Sequence, residues 1–237
     1  MNILAIAAHP DDVEEMVFGT LMKYHQRGDN IYIALATSGN IGSNHSASRA
    51  EIAATREGEQ LDAAKALDAK VKFMRFDDED LIDTVESRRA FLNAIRWANP
   101  DVIFTHSPLD TSPDHNMCAR LVIANLLIIG AKLVETEEAP MNMDEKKPSL
   151  FFWDIPGGFK FEPEAYVDIS DVIEPKIAAI AAHKSQLDWM EGYLNRDYLE
   201  SMRVQSRFRG YQYGCMYAEG FVGYQIQGFV ADYRLLP

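Results

Sequence analysis

Four short apolar runs, each followed by a stretch with helical spacing of its apolar residues, fill the first hundred positions and leave few folds open to this chain. The runs are residues 2–7 (NILAIA), 31–37, 71–76 and 101–106, all of strand length. Between them, residues 14–27 place Met16, Val17, Leu21 and Tyr24 at helical spacing, and residues 49–67 do the same with Ile52, Leu61 and Ala64. Residues 84–97 form a third helical stretch, which the Asn99-Pro100 pair ends, while Gly28 suits the end of the first. Alternation of this kind builds a parallel sheet through right-handed crossovers, with helices covering both faces.

The expected fold is therefore α/β: a Rossmann-like doubly wound sheet, mostly parallel, in a single domain spanning residues 1–237. That length supports a sizeable core. A helix over residues 114–129 follows the fourth strand. Residues 149–155 (SLFFWDI) and 165–170 (AYVDIS) read as fifth and sixth strands, and residues 171–190 as one long helix carrying Ile173, Ile177, Ile180 and Leu187. The rest of 131–165, including VETEEAPMNMDEKKP, and the Gly- and aromatic-rich tail after Tyr211 show no clear pattern. A loop rich in Ser, Gly and Asn (SGNIGSNHSAS) follows the second strand.

A formal net charge of -13 disfavours nucleic acid and anionic membranes as partners, because such a surface repels phosphate. The two cysteines, Cys118 and Cys215, form no CxxC pair and read as free thiols of a reducing compartment. The N-terminus lacks a basic leader, and no apolar run approaches the roughly 20 residues of a membrane helix, so a cytoplasmic location is expected.

Chemistry concentrates in two clusters: AHPDDVE at 8–14, after the first strand, and HSPLDTSPDH at 106–115, after the fourth. In the common doubly wound order these strands are neighbours where the winding reverses, and ligands bind in the crevice beyond their carboxyl ends. The two clusters are thus expected to face one another. Imidazole and carboxylate in these numbers suit zinc, with iron or cobalt as substitutes, and a catalytic zinc keeps three protein ligands and one open position. Such an ion lowers the pKa of water from about 15.7 toward about 7, and a spare carboxylate can take the proton. Spacing alone does not divide these roles between Asp11 and Asp12, and either could instead cap the first helix. A nucleotide-binding module fits poorly, since the first turn lacks GxGxxG and its acids would repel pyrophosphate.

These residues resemble the LmbE/PIG-L family of zinc-dependent N-deacetylases. The resemblance rests on AHPDDVE, TRE at 55–57, PDVIFTHSPLD, PDH at 113–115, AHKSQ at 182–186 and YAEGF at 217–221, in the family's order along nearly the whole chain. It implies one Zn2+ (Fe2+ or Co2+ as substitutes) held by His9, Asp12 and His115, with Asp11 as the base for the attacking water. It also implies a small N-acyl substrate, typically an N-acetylglucosamine conjugate, with Arg56, Asp78 and His183 as its contacts. His106, Asp114 and Ser112 would lie behind the ligands. One departure matters: the family's His-Pro-Asp-His is here Ser112-Pro113-Asp114-His115. A serine can donate a hydrogen bond but carries no positive charge, and loss of one oxyanion donor costs about 2.7–4 kcal/mol, so His183 is a candidate compensator. Two further readings are an amidase for a bulkier amide, such as a thiol conjugate, and a metal-binding homologue without catalysis. Family members often assemble, so a homo-oligomer is compatible with the aromatic tail.

Overall fold

A computed structural model describes residues 1–46 and 48–237; Ala47, within the Ser/Gly/Asn-rich loop, lies outside the described residues. The first half follows the alternation of the sequence: β1 (Asn2–Ala7), α1 (Asp12–Met16), α2 (Phe18–Gln26), β2 (Asn30–Thr37), α3 (Arg49–Ala64), β3 (Lys70–Phe76), α4 (Val85–Ala98), β4 (Val102–Thr105) and α5 (Pro113–Leu126). The second half adds β5 (Ser149–Trp153), β6 (Ala165–Asp168), α6 (Ile173–Ile180), α7 (Lys184–Leu194), α8 (Tyr198–Tyr213), β7 (Ala218–Gly223) and a small hairpin of β8 (Gln225–Ile226) and β9 (Phe229–Val230).

Seven strands form one sheet in the order β3-β2-β1-β4-β5-β7-β6. β1 pairs in parallel with both β2 and β4, and β4 in parallel with β5. β7 enters antiparallel between β5 and β6. The mostly parallel doubly wound sheet is thus present, with one reversed strand on its far side. Alternation along the central strands feeds two cores. Ile3, Ala5 and Ala7 of β1 face one, with Ile33 and Phe104, beneath α1, α2, α6 and the start of α8. Leu4 and Ile6 face the other, with Phe91 and Leu121, beneath α4 and α5. Such two-sided burial explains why these strands read as continuous apolar runs.

Two expected helices are broken. Residues 14–27 divide at Val17, whose φ of -137° leaves the helical region. No side chain of the local sequence caps α2; instead Glu219, on β7, accepts the N–H groups of Gly19 and Thr20 and the Thr20 hydroxyl, and pairs with Lys176 on α6 at 2.6 Å. Residues 171–190 divide between α6 and α7, with His183 (φ -82°, ψ 63°) at the start of α7. α8, capped by the Asp197 side chain, is ended by Gly214 at φ 94°, and the tail beyond it supplies β7 and the β8–β9 hairpin.

Candidate active site

The crevice opens where β1 and β4 end side by side. The turn after β1 holds Asp11 at φ 111°, a left-handed conformation that L residues rarely adopt and that marks sites where backbone strain serves a function. Asp11 occupies the position before α1, yet its side chain makes no cap bond. One carboxylate oxygen meets the Arg56 guanidinium at 3.0 Å, and the other accepts the Tyr198 hydroxyl at 3.2 Å. Its N–H donates to Gln60 Oε1. The helix-capping reading of Asp11 therefore fails, because its oxygens are committed across the crevice.

Asp12, buried, turns the other way. Its carboxylate accepts the His9 N–H at 2.6 Å and lies 3.4 Å from His9 Nδ1, 3.3 Å from His115 Nε2 and 3.2 Å from His106 Nε2. The two imidazoles approach at 3.2 Å between His115 Nε2 and His9 Nδ1. In a tetrahedral site with bonds of about 2.0–2.1 Å, ligand atoms stand about 3.3–3.4 Å from one another. The two imidazole nitrogens are close to that separation, each has a different Asp12 oxygen at 3.3–3.4 Å, and one donor atom of each residue lies within 4.8 Å of the others, so the set can close on a divalent ion.

The remaining carboxylates stand behind the imidazoles. His9 Nε2 lies 3.0 Å from Asp78 Oδ1 and 3.4 Å from Asp114 Oδ2, and His115 Nδ1 lies 3.0 Å from Asp110 Oδ2. This is the carboxylate–histidine pairing that orients metal-bound imidazoles. Asp114 also accepts the N–H groups of Glu79 and Leu81, which ties the loop after β3 to α5. His106 stacks on His115 with ring centroids 3.9 Å apart, and burial together with the His115 charge pushes its pKa down to about 4, so it is a neutral support.

In the metal-free site burial opposes every charge, but pairing decides the outcome. At Asp12 the imidazoles of His115, His106 and His9 outweigh burial and hold the carboxyl well below its usual range. At His115, Asp12 and Asp110 outweigh burial and raise the pKa to about 9. At Asp11 burial wins over Arg56, so its pKa is raised. Glu15, in contact with Tyr198 and Arg196, is pushed up to about 7 by burial. Burial and the Asp11 and Glu15 carboxylates keep the Tyr198 phenol protonated.

Arg56 reaches the crevice wall from α3, donating to the carbonyls of Gly39 and Pro10 as well as to Asp11. Gly39 sits at φ +59°, and a Cβ there would meet the guanidinium at 2.3 Å, so only glycine lets Arg56 lie flat on this turn. One expectation for an individual residue is corrected. His183 does not line the crevice: it is fully buried behind Asp11, with Nε2 3.4 Å from Glu14. Ser112 caps α5, its Oγ accepting the His115 N–H, and does not line the crevice either. Asp78 lines the crevice but spends one oxygen on His9. Tyr198, Arg196, Gln186 and Trp189 complete the wall from α7, the 195–197 turn and α8; of these four, Gln186 falls in a quoted motif, AHKSQ, and the others in none.

The PIG-L family of GlcNAc-PI de-N-acetylases matches residues 4–126, which include both halves of this site. The chain belongs to that family. It is 28% identical over 225 residues to diacetylchitobiose deacetylase of Thermococcus kodakarensis, covering 92% of this chain and 81% of the relative. It is 27% identical over 207 residues to a probable N-acetyl-alpha-D-glucosaminyl L-malate deacetylase 2 of Bacillus cereus, covering 80% and 85%. Among solved structures, N,N'-diacetylchitobiose deacetylase from Pyrococcus horikoshii superposes with a TM-score of 0.80 at 26% identity, over 94% of this chain and 83% of that one.

Proposed function

We propose that the protein is a metal-dependent N-deacetylase, with zinc held by His9, Asp12 and His115, that frees the amine of an N-acetylglucosamine conjugate. The observation that carries this reading is the convergence of the His9, Asp12 and His115 donors, one atom of each lying within 4.8 Å of the others, beside an Asp11 carboxylate that none of them uses. A bound divalent ion supplies Lewis-acid polarisation of the amide carbonyl and acidifies water. Asp11 accepts the proton of the attacking water and returns it to the departing amine. Burial raises its pKa toward the range in which a carboxylate can do both, and Arg56 and Tyr198 fix its two oxygens.

The Tyr198 hydroxyl, kept protonated at the crevice wall, directs its one proton to the Asp11 and Glu15 carboxylates and so positions the base. The substrate is a small N-acetylated sugar derivative, in line with the acetylated compounds for which the relatives are named. The two free cysteines fit a reducing, cytoplasmic setting.

Two substitutions test the division of roles. Asp12→Ala removes a ligand and should abolish zinc retention after dialysis. Asp11→Asn should retain zinc at the level of the parent while acetate release falls by about 10²–10⁴-fold. Full activity in Asp11→Asn would reassign the base, and full zinc content in Asp12→Ala would reassign the site.

A further inference from the structure

The crevice is not a closed pocket. Its wall at Pro156 and Arg196 is shared with a second cavity that runs along the outer face of α8. The crevice measures about 260 Å³ and the second cavity about 750 Å³. Cavities that take a drug-sized ligand run from about 300 to 1,000 Å³, so the crevice suits one small unit and its neighbour a substantial substituent. Three exposed apolar side chains line this groove: Phe159 (73% exposed), Val204 (57%) and Phe208 (49%). Val204 and Phe208 are four residues apart on α8 and so share one helix face.

The groove is pre-formed. Arg209 holds the loop that carries Phe159, pairing with both oxygens of Asp154 (2.6 and 3.0 Å) and donating to the Gly158 and Phe161 carbonyls. Gln205 accepts the Gly157 N–H and donates to the Ile155 carbonyl. Its charge is also set. Asp197 and Glu200 stand at its rim, and among the described lining residues Arg196 is the one cation, already paired with Glu15 at 3.2 Å. An anionic substituent would meet two carboxylates and no free positive charge, on a chain of net charge -13.

Resting on the reading of the crevice as a deacetylase site, we infer that the groove of Phe159, Val204 and Phe208 binds the aglycone of the substrate, and that this aglycone is neutral and apolar. The acetamido sugar occupies the crevice, and its substituent passes between Pro156 and Arg196. A preference for a neutral apolar group separates this chain from the Bacillus cereus relative, whose name specifies an anionic malate.

The test compares methyl, benzyl and 4-carboxybenzyl glycosides of N-acetylglucosamine on the zinc-loaded protein, and measures their binding to the metal-free protein by saturation-transfer NMR. The benzyl glycoside should exceed the methyl glycoside in kcat/KM by about tenfold or more, a gain of the size an apolar subsite gives, and the carboxylate should remove most of it. The variant Val204→Ser/Phe208→Ser, altered only on an exposed face, should erase the benzyl advantage while leaving the methyl glycoside within about twofold. Acetate released from all three glycosides with no benzyl preference, or a preference that survives the double variant, would overturn the inference and leave the deacetylase reading standing. No acetate from any of them, but benzyl binding that the double variant loses, would support the groove and overturn the reaction. A concentration-dependent dimer in sedimentation that the double variant dissolves, with benzyl preference unchanged, would show that a second copy covers this face and overturn the inference.

Discussion

At the scale of single residues the site turns on who holds the protons of two adjacent aspartates and two imidazoles. Without metal, His115 is raised to about 9 by Asp12 and Asp110 against burial, so near neutral pH it carries a proton that a metal must displace. The sign follows directly. The folded-state value lies above the unfolded value of about 6.5, so this contribution to metal-free stability is complete below about pH 6.5 and is lost as pH rises through about 9. Metal binding has the opposite dependence, since only the neutral imidazole is a ligand. Isothermal titration with zinc between about pH 6 and pH 8 should show affinity strengthening by about tenfold per pH unit for each proton expelled, with matching proton release between buffers of different ionisation enthalpy. A flat affinity would mean that His115 is already neutral and that its Asp110 pairing does not hold the proton. The sequence exposed these residues because chemistry had concentrated them in two short motifs. It did not expose Tyr198 or Arg196, which meet Asp11 and Glu15 across 187 and 181 positions of chain. Nor could it show that the His183 imidazole turns inward to Glu14 rather than out to substrate.

At the scale of elements, legibility followed from how each element satisfies its own ends. The strands β1, β2 and β4 are buried on both faces and announce themselves as apolar runs, while β3, at the sheet edge, is half-exposed and alternates charged with apolar residues. α4 carries its start signal locally, in the reciprocal bonds of Thr84 and Ser87. By contrast α2 is capped by Glu219 from 200 positions away, so no local pattern marks the break at Val17. The break before α7 likewise falls in Ala181-Ala182-His183, with no glycine or proline to signal it. α8 has a weakly patterned sequence because its outer face exposes Val204, Phe208 and Tyr211. α5 bears on function most directly, since it delivers His115 from its first turn with Ser112 as its cap and Pro113 at its first position. Ser112→Ala should therefore cost about 1 kcal/mol in urea unfolding of the metal-free protein, the usual worth of such a cap. Ser112→His loses the same cap, so any rate gain from a restored histidine should come with lower stability; unchanged stability in both would show that the cap bond is too weak to matter.

At the scale of the whole molecule, the proposed ligands join two halves of the sheet. His9 and Asp12 follow β1, and His115 opens α5 after the neighbouring strand β4, with Asp78 and Asp114 tying the loop after β3 to the same point. Three crossovers of the chain thus converge on a cluster in which Asp11, Asp12, Glu15 and Asp78 stand within one crevice. Arg56 and Arg196 are each already committed there to one carboxylate, and without metal the protons on His9 and His115 face Asp12 and Asp78, so a divalent ion takes over the charge that those protons supply. An ion present at 1,000 times its dissociation constant stabilises the fold by about 4.1 kcal/mol. For a chain of this length each kcal/mol raises the melting temperature by about 2–4 °C, so removing the metal with a chelator should lower it by roughly 8–16 °C. Scanning calorimetry with and without added zinc measures this, and Asp12→Ala separates the causes. If the shift comes from the site, that variant should melt at one temperature whether or not zinc is present, because the loss of the ligand removes the linkage itself. A zinc-dependent shift that persists in Asp12→Ala would place the stabilising ion elsewhere on this acidic surface, and the convergence of β1, β3 and β4 would then need another explanation.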